Sequence, residues 1–232
     1  VSTVADGDLG YLGEGFVNIP LNERTAIRLV GWARRDGGFV DNIPYTRPYP
    51  SSGIVPDNSK LVEDDYNDVD TYGARAALRF DINDSWTVTP TVMGQVQKVN
   101  GDFVYDRTLG EIKVSEVRPD YVDDAWMQAA LTVEGKIANF DLVYAGAYMF
   151  RDVDSAYDYS EYSYWYDALY SYGNYWLDND GNPIDISQYV QSQNNFTRVT
   201  QEIRLVSPAD QRFRRVVPGD LGRRFALAEF GS

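Results

Sequence analysis

The side chains that could do chemistry in this sequence are carboxylates, tyrosines and lysines, because it contains neither histidine nor cysteine. Without histidine there is no Ser-His-Asp or Cys-His arrangement, and the commonest transition-metal ligand is missing. Without cysteine, disulfides and thiolate metal sites are excluded. The acidic runs 63–65 and 123–124 have no identifiable partner base and are typical of solvated loops. We therefore predict a non-enzyme with no catalytic residue, no metal site and no cofactor; a carboxylate-based glycosidase is a weaker alternative.

The strongest candidate site is a tyrosine-rich stretch at 157–176, which contains ten aromatic residues interleaved with acidic ones. Rigid amphipathic rings supply contact area and hydroxyl donors at low entropic cost, as in loops that capture ligands. They could stack on sugar rings or on an aromatic siderophore. The predicted ligand-binding residues are Tyr162, Tyr164, Trp165, Tyr166, Tyr170, Tyr172 and Trp176. The alternative is that these rings pack against one another and against neighbouring loops.

The segment 178–182 (DNDGN) resembles a calcium loop only superficially. No glutamate follows at the position of the bidentate ligand. Asn and Asp before Gly are ordinary turn residues, so we predict a turn here.

The elements that must position these residues are strands, because apolar and polar residues alternate with a period of two. The clearest case is 71–81, where Tyr72, Ala76 and Phe80 share one face and Arg75 and Arg79 share the other. Pro90 is an irregularity, since it lacks the donor that a central strand needs. In total we predict seven strands, at 11–19, 25–33, 71–81, 86–96, 125–134, 139–151 and 196–207.

The connections between these strands alternate between short and long. The short ones are 20–24, 82–85 and 135–138, and the long ones are 34–70, 100–123 and 152–195. Compact soluble domains seldom contain structureless loops of more than about 15 residues. Short turns at one end and long loops at the other are typical of outer-membrane barrels. Aromatic residues near both strand ends fit the two girdles of such a barrel: Phe80, Trp86 and Phe140 at the turns, and Tyr72, Tyr148 and Phe150 towards the loops.

Charge and hydropathy exclude several other classes of protein. The net charge of −14 argues against binding to nucleic acid or to an anionic lipid surface through a basic patch. No apolar run is long enough for a transmembrane helix. The first residues show neither the basic nor the apolar region of a signal peptide.

Several ordered segments resemble the barrel of TonB-dependent receptors. An early hairpin of that family is similar to GEGFVNIPL at 13–21 with AIRLVG at 26–31, and RDGGFVDN at 35–42 continues into the next loop. Two later strands are similar to DTYGARAALR at 70–79 and TQEIRLVS at 200–207.

The resemblance implies a fold and a function. The fold is an all-β, antiparallel transmembrane β-barrel segment of about seven to eight strands, with short periplasmic turns and long extracellular loops. The family lies in the outer membrane of Gram-negative bacteria and imports scarce ligands such as ferric siderophores, cobalamin or glycans. Its barrel has roughly 22 strands and contains a plug domain that contacts TonB. The implied partners are outer-membrane lipid, a small-molecule ligand, and TonB through the plug.

The sequence also departs from the family. We identify no plug and no TonB box, so no residue of energy coupling can be assigned. We expect residues 1–214 to be a partial TonB-dependent receptor barrel. Residues 215–232 lack the alternating aromatic strand of the family, and we expect an atypical tail that arises from a frame shift or a cloned fragment boundary. The alternative function is a soluble or surface β-sandwich binding module that uses the Tyr/Trp-rich loop to hold carbohydrate.

Overall fold

The structure, a computed structural model, describes residues 1–170, 176–206, 216–220 and 223–227. It is 59% strand and 5% helix, which confirms the prediction of an all-β chain. The elements in chain order are β1 (Ser2–Thr3), β2 (Leu9–Asn22), β3 (Thr25–Asp36), β4 (Asp41–Asn42), β5 (Val69–Asn83), β6 (Trp86–Asn100), β7 (Lys113–Val114), β8 (Tyr121–Ile137), β9 (Phe140–Asp158), α1 (Ser160–Tyr170), β10 (Tyr189–Val206), β11 (Val216–Asp220) and β12 (Arg223–Leu227).

One antiparallel sheet contains all seven predicted strands, in the spatial order β2-β3-β5-β6-β8-β9-β10. The short β1 pairs with β2 at one edge, and β11 and β12 both pair with β10 at the other. Over the described residues this sheet is not closed into a barrel. The only other sheet among them is the two-stranded parallel pair of β4 and β7. None of the helical segments in the described ranges is long and apolar enough to cross a membrane.

The predicted alternation of short and long connections is confirmed. Two-residue turns at 23–24, 84–85 and 138–139 join the strands at one end of the sheet. In the first two, an asparagine that ends the strand accepts a hydrogen bond from the backbone two residues on: Asn22 Oδ1 from Arg24 N, and Asn83 Oδ1 from Ser85 N, both at 2.9 Å. In the third, Ala138 adopts the left-handed conformation, with φ of 55°. These local turn geometries keep one end of the sheet compact.

The strands are longer than predicted at both ends, by two or three residues at the short turns and by more at several of the long connections. Strand β9 continues to Asp158, and β10 begins at Tyr189, in segments that the sequence predicted to be loop. Pairs such as Asp154 with Gln193 extend the ladder. Polar residues there carry no hydrophobic alternation, yet backbone pairing needs only a neighbouring strand. Pro90 also behaves as expected: the β5–β6 register is not continuous opposite it, although it pairs with Leu131 on β8.

The two faces of the sheet differ sharply in polarity. We call one face the apolar band; its rows run from Tyr72 to Phe80 on β5 and continue through the paired residues of the neighbouring strands. On β2 to β10 the one charged residue in those rows is Asp152, opposite Ala125 in the Tyr72 row. On β6 and β8 the band includes Val88, Val92, Val96, Met127 and Leu131, and on β9 and β10 it includes Tyr144, Tyr148, Phe150 and Ile203. The opposite face carries arginines, acids and amides.

The buried core does not lie on the sheet but among the long connections, which we call the cap: residues 37–68, 101–120 and 159–188 without 171–175. Apart from α1, β4 and β7, these connections are irregular, as predicted, but they share a buried centre that the sequence did not predict. The buried apolar residues are Val40, Tyr45, Tyr49, Val114, Val117 and Ile186 in the cap, with Ala156 at the end of β9. An apolar centre of this kind allows long connections to fold as one unit.

Buried asparagines tie two of the cap segments together. Asn42, only 2% exposed, donates its Nδ2 to the Leu61 carbonyl at 2.9 Å, and its Oδ1 accepts the Glu116 N–H at 2.8 Å. Asn58 Nδ2 donates to the carbonyls of Ile43 and Glu116. A side-chain amide can satisfy a donor and an acceptor at once, so it replaces a strand partner where the backbone is irregular.

We expect Asn42→Ala to destabilise the cap by about 2–3 kcal/mol, because it leaves buried backbone groups of Leu61 and Glu116 without partners. Hydrogen exchange in 37–68 and 101–120 should accelerate, while exchange in β5, β6 and β8 stays unchanged. The matched control is Asn139→Ala, at an exposed position in a tight turn at the opposite end. Equal exchange rates in Asn42→Ala and the parent would contradict the role of Asn42 in joining the two cap segments.

Candidate functional site

Part of the tyrosine-rich stretch, Ser160–Tyr170, forms the helix α1 rather than the irregular loop that the sequence suggested. Helical spacing collects its rings on one side: Tyr162 lies 5.1 Å from Tyr159 and 5.9 Å from Trp165 between ring centroids. Tyr170 continues the row, at 5.0 Å from Tyr166 and 6.3 Å from Trp165. Residues three and four apart are neighbours on a helix, which is why the sequence spacing produces a continuous aromatic surface.

These rings are accessible from solvent. Tyr162, Trp165 and Tyr170 are each about half exposed, at 47%, 50% and 49%, and Leu169 beside them is exposed as well. We call this surface the aromatic face of α1; it consists of Tyr159, Tyr162, Trp165, Tyr166, Leu169 and Tyr170. Aromatic–aromatic contacts at 5–6 Å hold the rings in fixed orientations, so the face is a preformed surface on which a planar or ring-shaped ligand can stack.

The opposite side of α1 packs against segment 47–51 of the cap. The Arg47 guanidinium lies 3.8 Å from the centroid of the Tyr164 ring and also pairs with the carboxylate of Glu161. Tyr49, which is fully buried, packs against Tyr164 at 6.2 Å. The backbone N–H of Ser51 donates to the carboxylate of Asp167 at 2.9 Å. Segment 47–51 therefore holds the helix from beneath.

The structure thus divides the seven predicted binding residues. It brings together Tyr162, Trp165, Tyr166 and Tyr170 on the aromatic face. Tyr164 faces away from them and packs against Arg47 and Tyr49, as the alternative interpretation of the stretch proposed. Trp176 lies beyond the helix, half-buried, with its Nε1 among the buried atoms that have no partner in the described part of the chain. Tyr172 lies outside the described residues.

Asp158, at the end of β9, joins three parts of the cap and was not predicted from the sequence. Its Oδ2 accepts the N–H groups of Val117 and Arg118, at 2.6 and 2.9 Å, and its Oδ1 accepts the N–H of Ser160 at 2.7 Å. The last contact caps the N-terminus of α1, where an anionic acceptor is favoured. The only sequence signal is an Asp two residues before the helix, which is indistinguishable from other loop acids.

A second acidic group, Glu116, borders a cavity of about 430 Å³ between the cap and the sheet. Burial raises the pKa of Glu116 to about 9, and the nearby carboxylates of Asp158 and Asp120 contribute. Burial also raises the pKa of Asp120 to about 6. The cavity is lined on other sides by Lys60 and Lys98. Among the described residues no group of three or more acidic side chains could hold a metal ion.

The turn predicted at 178–182 is confirmed. Asp178 Oδ1 accepts hydrogen bonds from the N–H groups of Asp180 and Asn182, and Gly181 adopts a φ of 84°. These backbone and side-chain donors, foremost those of Asn182, lower the pKa of Asp178.

The side chains of the apolar band are exposed to solvent. Across the centre of the sheet Tyr72, Val92, Met127 and Phe150 are each between 43% and 50% exposed. On the other face Trp32 lies against Gly73, where a Cβ would come within 2.1 Å of the indole ring, and its Nε1 donates to Gln95 at 3.3 Å. The polar side chains of that face can bind water or a polar ligand, whereas the side chains of the apolar band cannot.

Comparison with known proteins yielded no relative: no family model, no curated protein and no solved structure matches the chain.

We expect the cap to be more stable at pH 5 than at pH 8. The unfolded chain ionises Glu116 near pH 4.5, whereas the folded chain keeps its proton up to about pH 9. Folding therefore takes up a proton across this window, and stability falls as the pH rises, by at most about 1.4 kcal/mol per pH unit. Unfolding or hydrogen exchange of the cap, followed from pH 5 to pH 9, measures this slope.

Glu116→Gln should flatten this dependence above pH 6 and stabilise the cap at pH 8. Glu111→Gln is the matched control, since that carboxylate is exposed on the same connection. An unchanged slope in Glu116→Gln would assign the pH dependence to other groups.

Proposed function

We propose that this chain is part of a TonB-dependent receptor barrel in the outer membrane of a Gram-negative bacterium, with the cap as its extracellular ligand-recognition region. The apolar band is the observation that carries the proposal. A soluble protein covers such a surface with a second layer, because contiguous exposed apolar patches are rare on monomers. The described residues contain no second sheet or helix layer over the band.

The dimensions of the band support a lipid environment. Nine residues, from Tyr72 to Phe80, span about 27 Å along a strand. A strand tilt of roughly 40° reduces this to about 20 Å, close to the apolar height of outer-membrane barrels. On the cap side the first charges are Asp152 in the Tyr72 row of β9, and Arg35, Asp70 and Lys98 in the next row of β3, β5 and β6. Aromatic residues stand at both limits of the band, as they do where acyl chains meet headgroups.

The opposite face supports an aqueous lumen. Gln97 Nε2 donates to Thr71 Oγ1 at 3.2 Å, and Arg79 Nε contacts Asp81 Oδ1 at 3.1 Å. Alternation of apolar and polar faces along every strand is the pattern of a wall between lipid and water. Most of the β2 edge is open, since only Leu9 and Gly10 pair with β1. This edge is consistent with a further strand of a wider barrel, because exposed strand edges leave backbone groups unpaired.

The cap and its aromatic face supply the recognition surface in this proposal. The three cap segments contain sixteen acidic residues and five basic ones, so the surface favours neutral or cationic ligands over anionic ones. Ferric siderophores, cobalamin and glycans all remain in the proposed ligand class. Transport would need TonB and a plug domain as partners, which lie outside the residues described.

The second candidate is a β-sandwich module that holds carbohydrate. The aromatic face of α1 favours it, since sugar rings stack on tyrosine and tryptophan. The single-layer sheet weighs against it, because a sandwich needs an opposing sheet to cover the apolar band.

We expect Ala76→Arg to impair folding into lipid bilayers, because position 76 lies at the centre of the apolar band. Arginine at the bilayer midplane costs about 2–4 kcal/mol in such barrels. The matched control is Ala77→Arg, the next residue on the opposite face, which already carries Arg75 and Arg79. Folding is measured by urea titration of the chain in phosphatidylcholine vesicles.

Two outcomes contradict the membrane proposal. Equal stability of the two variants in vesicles would remove the difference between the faces. A parent chain that is monodisperse and unfolds cooperatively without detergent or lipid would favour the sandwich.

For the recognition surface, we expect replacement of Tyr162, Trp165 and Tyr170 by alanine to weaken ligand binding by tenfold or more, since each stacked ring contributes about 1 kcal/mol. Isothermal titration calorimetry with a neutral ferric hydroxamate and with a linear glucan oligosaccharide measures binding and separates the two ligand classes. Leu177→Ala is the control, since it removes an exposed apolar side chain of the same connection outside the aromatic face. Unchanged binding of a ligand that the parent binds would leave packing as the role of these rings.

A further inference from the structure

The polar face of the sheet contains a cavity of about 640 Å³ at its cap end. Four neighbouring strands, β2, β3, β5 and β6, line it together with one residue of the cap, Phe103. The lining side chains that matter for a ligand are Trp32, Arg34, Asp36, Gln95, Gln97 and Phe103. Cavities of roughly 300–1,000 Å³ are typical of small-molecule sites. No residue of the aromatic face of α1 lines this cavity, so the two surfaces are separate.

An indole ring lies on the sheet at this cavity. Trp32 occupies the space over its cross-strand partner Gly73, where a Cβ would come within 2.1 Å of the ring. Its Nε1 donates to Gln95 Oε1 at 3.3 Å, and this hydrogen bond fixes the orientation of the ring. Trp86 covers Gly135 in the same way, so covering a glycine is not by itself a sign of a site. At Trp32 the ring also borders the cavity and offers a surface for stacking.

A second ring lies on the cap side of the cavity. Phe103 is 56% exposed, and its ring centroid is 6.2 Å from that of Phe39. The backbone N–H of Phe39 donates at 2.7 Å to Asn67 Oδ1, and Asn67 is only 1% exposed. The buried part of the cap therefore supports Phe103, while much of its ring remains accessible to a ligand.

The polar side chains of the cavity supply both donors and acceptors. Gln95 uses its Oε1 for the indole, and Gln97 uses its Nε2 for Thr71 Oγ1 at 3.2 Å. This leaves the Nε2 group of Gln95 as a donor and Oε1 of Gln97 as an acceptor. Arg34 contacts only one oxygen of Asp36, at 2.7 and 3.0 Å, so Arg34 Nη1 and Asp36 Oδ2 add another donor and acceptor. Hydroxyl groups, which donate and accept at once, match such a set.

The charges of the cavity disfavour an anionic ligand. Arg34 and Asp36 compensate each other, and Glu14 on β2 adds one more carboxylate to the lining. The acidic cap lies at the same end of the sheet, so an anion would be repelled from both sides. A flat ligand without hydroxyls would stack on the rings but leave the amides of Gln95 and Gln97 without partners, which costs affinity.

We propose that this cavity binds a neutral oligosaccharide, with pyranose rings stacked on Trp32 and Phe103. The C–H face of a pyranose is apolar and packs on an aromatic ring, while its hydroxyls exchange hydrogen bonds with the amides and with the Arg34–Asp36 pair. The proposal does not require lipid against the apolar band. It therefore stands or fails independently of the membrane location proposed above.

The test uses the whole chain, labelled with ¹⁵N and refolded in micelles of dodecylphosphocholine, a detergent without a sugar headgroup. Maltohexaose, cellohexaose and mannohexaose are the neutral probes, and hexagalacturonate is the anionic one. The indole N–H signals of the five tryptophans, assigned by single Trp→Phe variants, locate binding, and titration of the Trp32 signal gives Kd. We expect at least one neutral probe to shift the Trp32 signal.

Phe103→Ala should raise this Kd about tenfold, the loss expected when one stacked ring is removed. Tyr105→Ala is the matched control, since it removes an exposed ring of the same connection that does not line the cavity. Its Kd should equal that of the parent. Replacement of Tyr162, Trp165 and Tyr170 by alanine should also leave the Trp32 titration unchanged, which separates this cavity from the aromatic face.

Four outcomes would overturn the proposal. They are a Trp32 signal that no neutral probe shifts, a neutral probe that shifts Trp165 but not Trp32, tighter binding of hexagalacturonate than of every neutral probe, and an equal loss of affinity in Phe103→Ala and Tyr105→Ala. If Phe103→Ala fails to fold, Gln97→Ala decides: a Kd raised several-fold supports the site, and an unchanged Kd contradicts it.

Discussion

A single-layer sheet cannot bury its own apolar face, and the rest of this structure follows from that constraint. Backbone pairing satisfies the hydrogen bonds of seven long strands without any help from side chains. The apolar band is left over, because the ladder extends sideways and nothing in the described chain lies above it. Both faces avoid a free-energy cost only if their surroundings differ, with an apolar medium against the apolar band and a polar one against the opposite face. This requirement supports lipid on the apolar side more strongly than any single residue does.

The hydrophobic core lies where a barrel protein would be expected to have loops. Because the sheet has no interior between layers, the cap assembles its own small centre around Val40 and Tyr49. Polar side chains supply the backbone hydrogen bonds that strand pairing supplies in the sheet. Asn42, Asn58 and Asp158 bind backbone groups of more distant residues in this way. This arrangement is rigid locally but rich in buried carboxylates and amides. It is the reason why we expect the stability of the cap to depend on pH through Glu116.

Helix α1 connects these two properties to recognition. One side is held in place by Tyr164 and Asp167 and by the hydrogen bond of Asp158 to the helix N-terminus. The other side presents aromatic rings to solvent. An exposed aromatic row on a short helix would be unstable alone, since isolated helices of this length are marginal in water. Its persistence therefore depends on the contacts beneath it. Any change in those contacts would alter the orientation of the rings that a ligand meets.

The sequence by itself determined the seven strands, the faces of each strand and the order of short and long connections. These features are local: a period of two and turn residues such as Asn22 and Asn83 act within a few positions along the chain. It also located the aromatic cluster, but not its helix, because ten rings among acids carry no apolar periodicity. Only the tertiary structure decided that Tyr164 faces inward, that polar ends of β9 and β10 continue the ladder, and that Asn42 and Glu116 meet. Asn42 and Glu116 are 74 positions apart, and no local pattern encodes which distant backbone group a buried amide will bind.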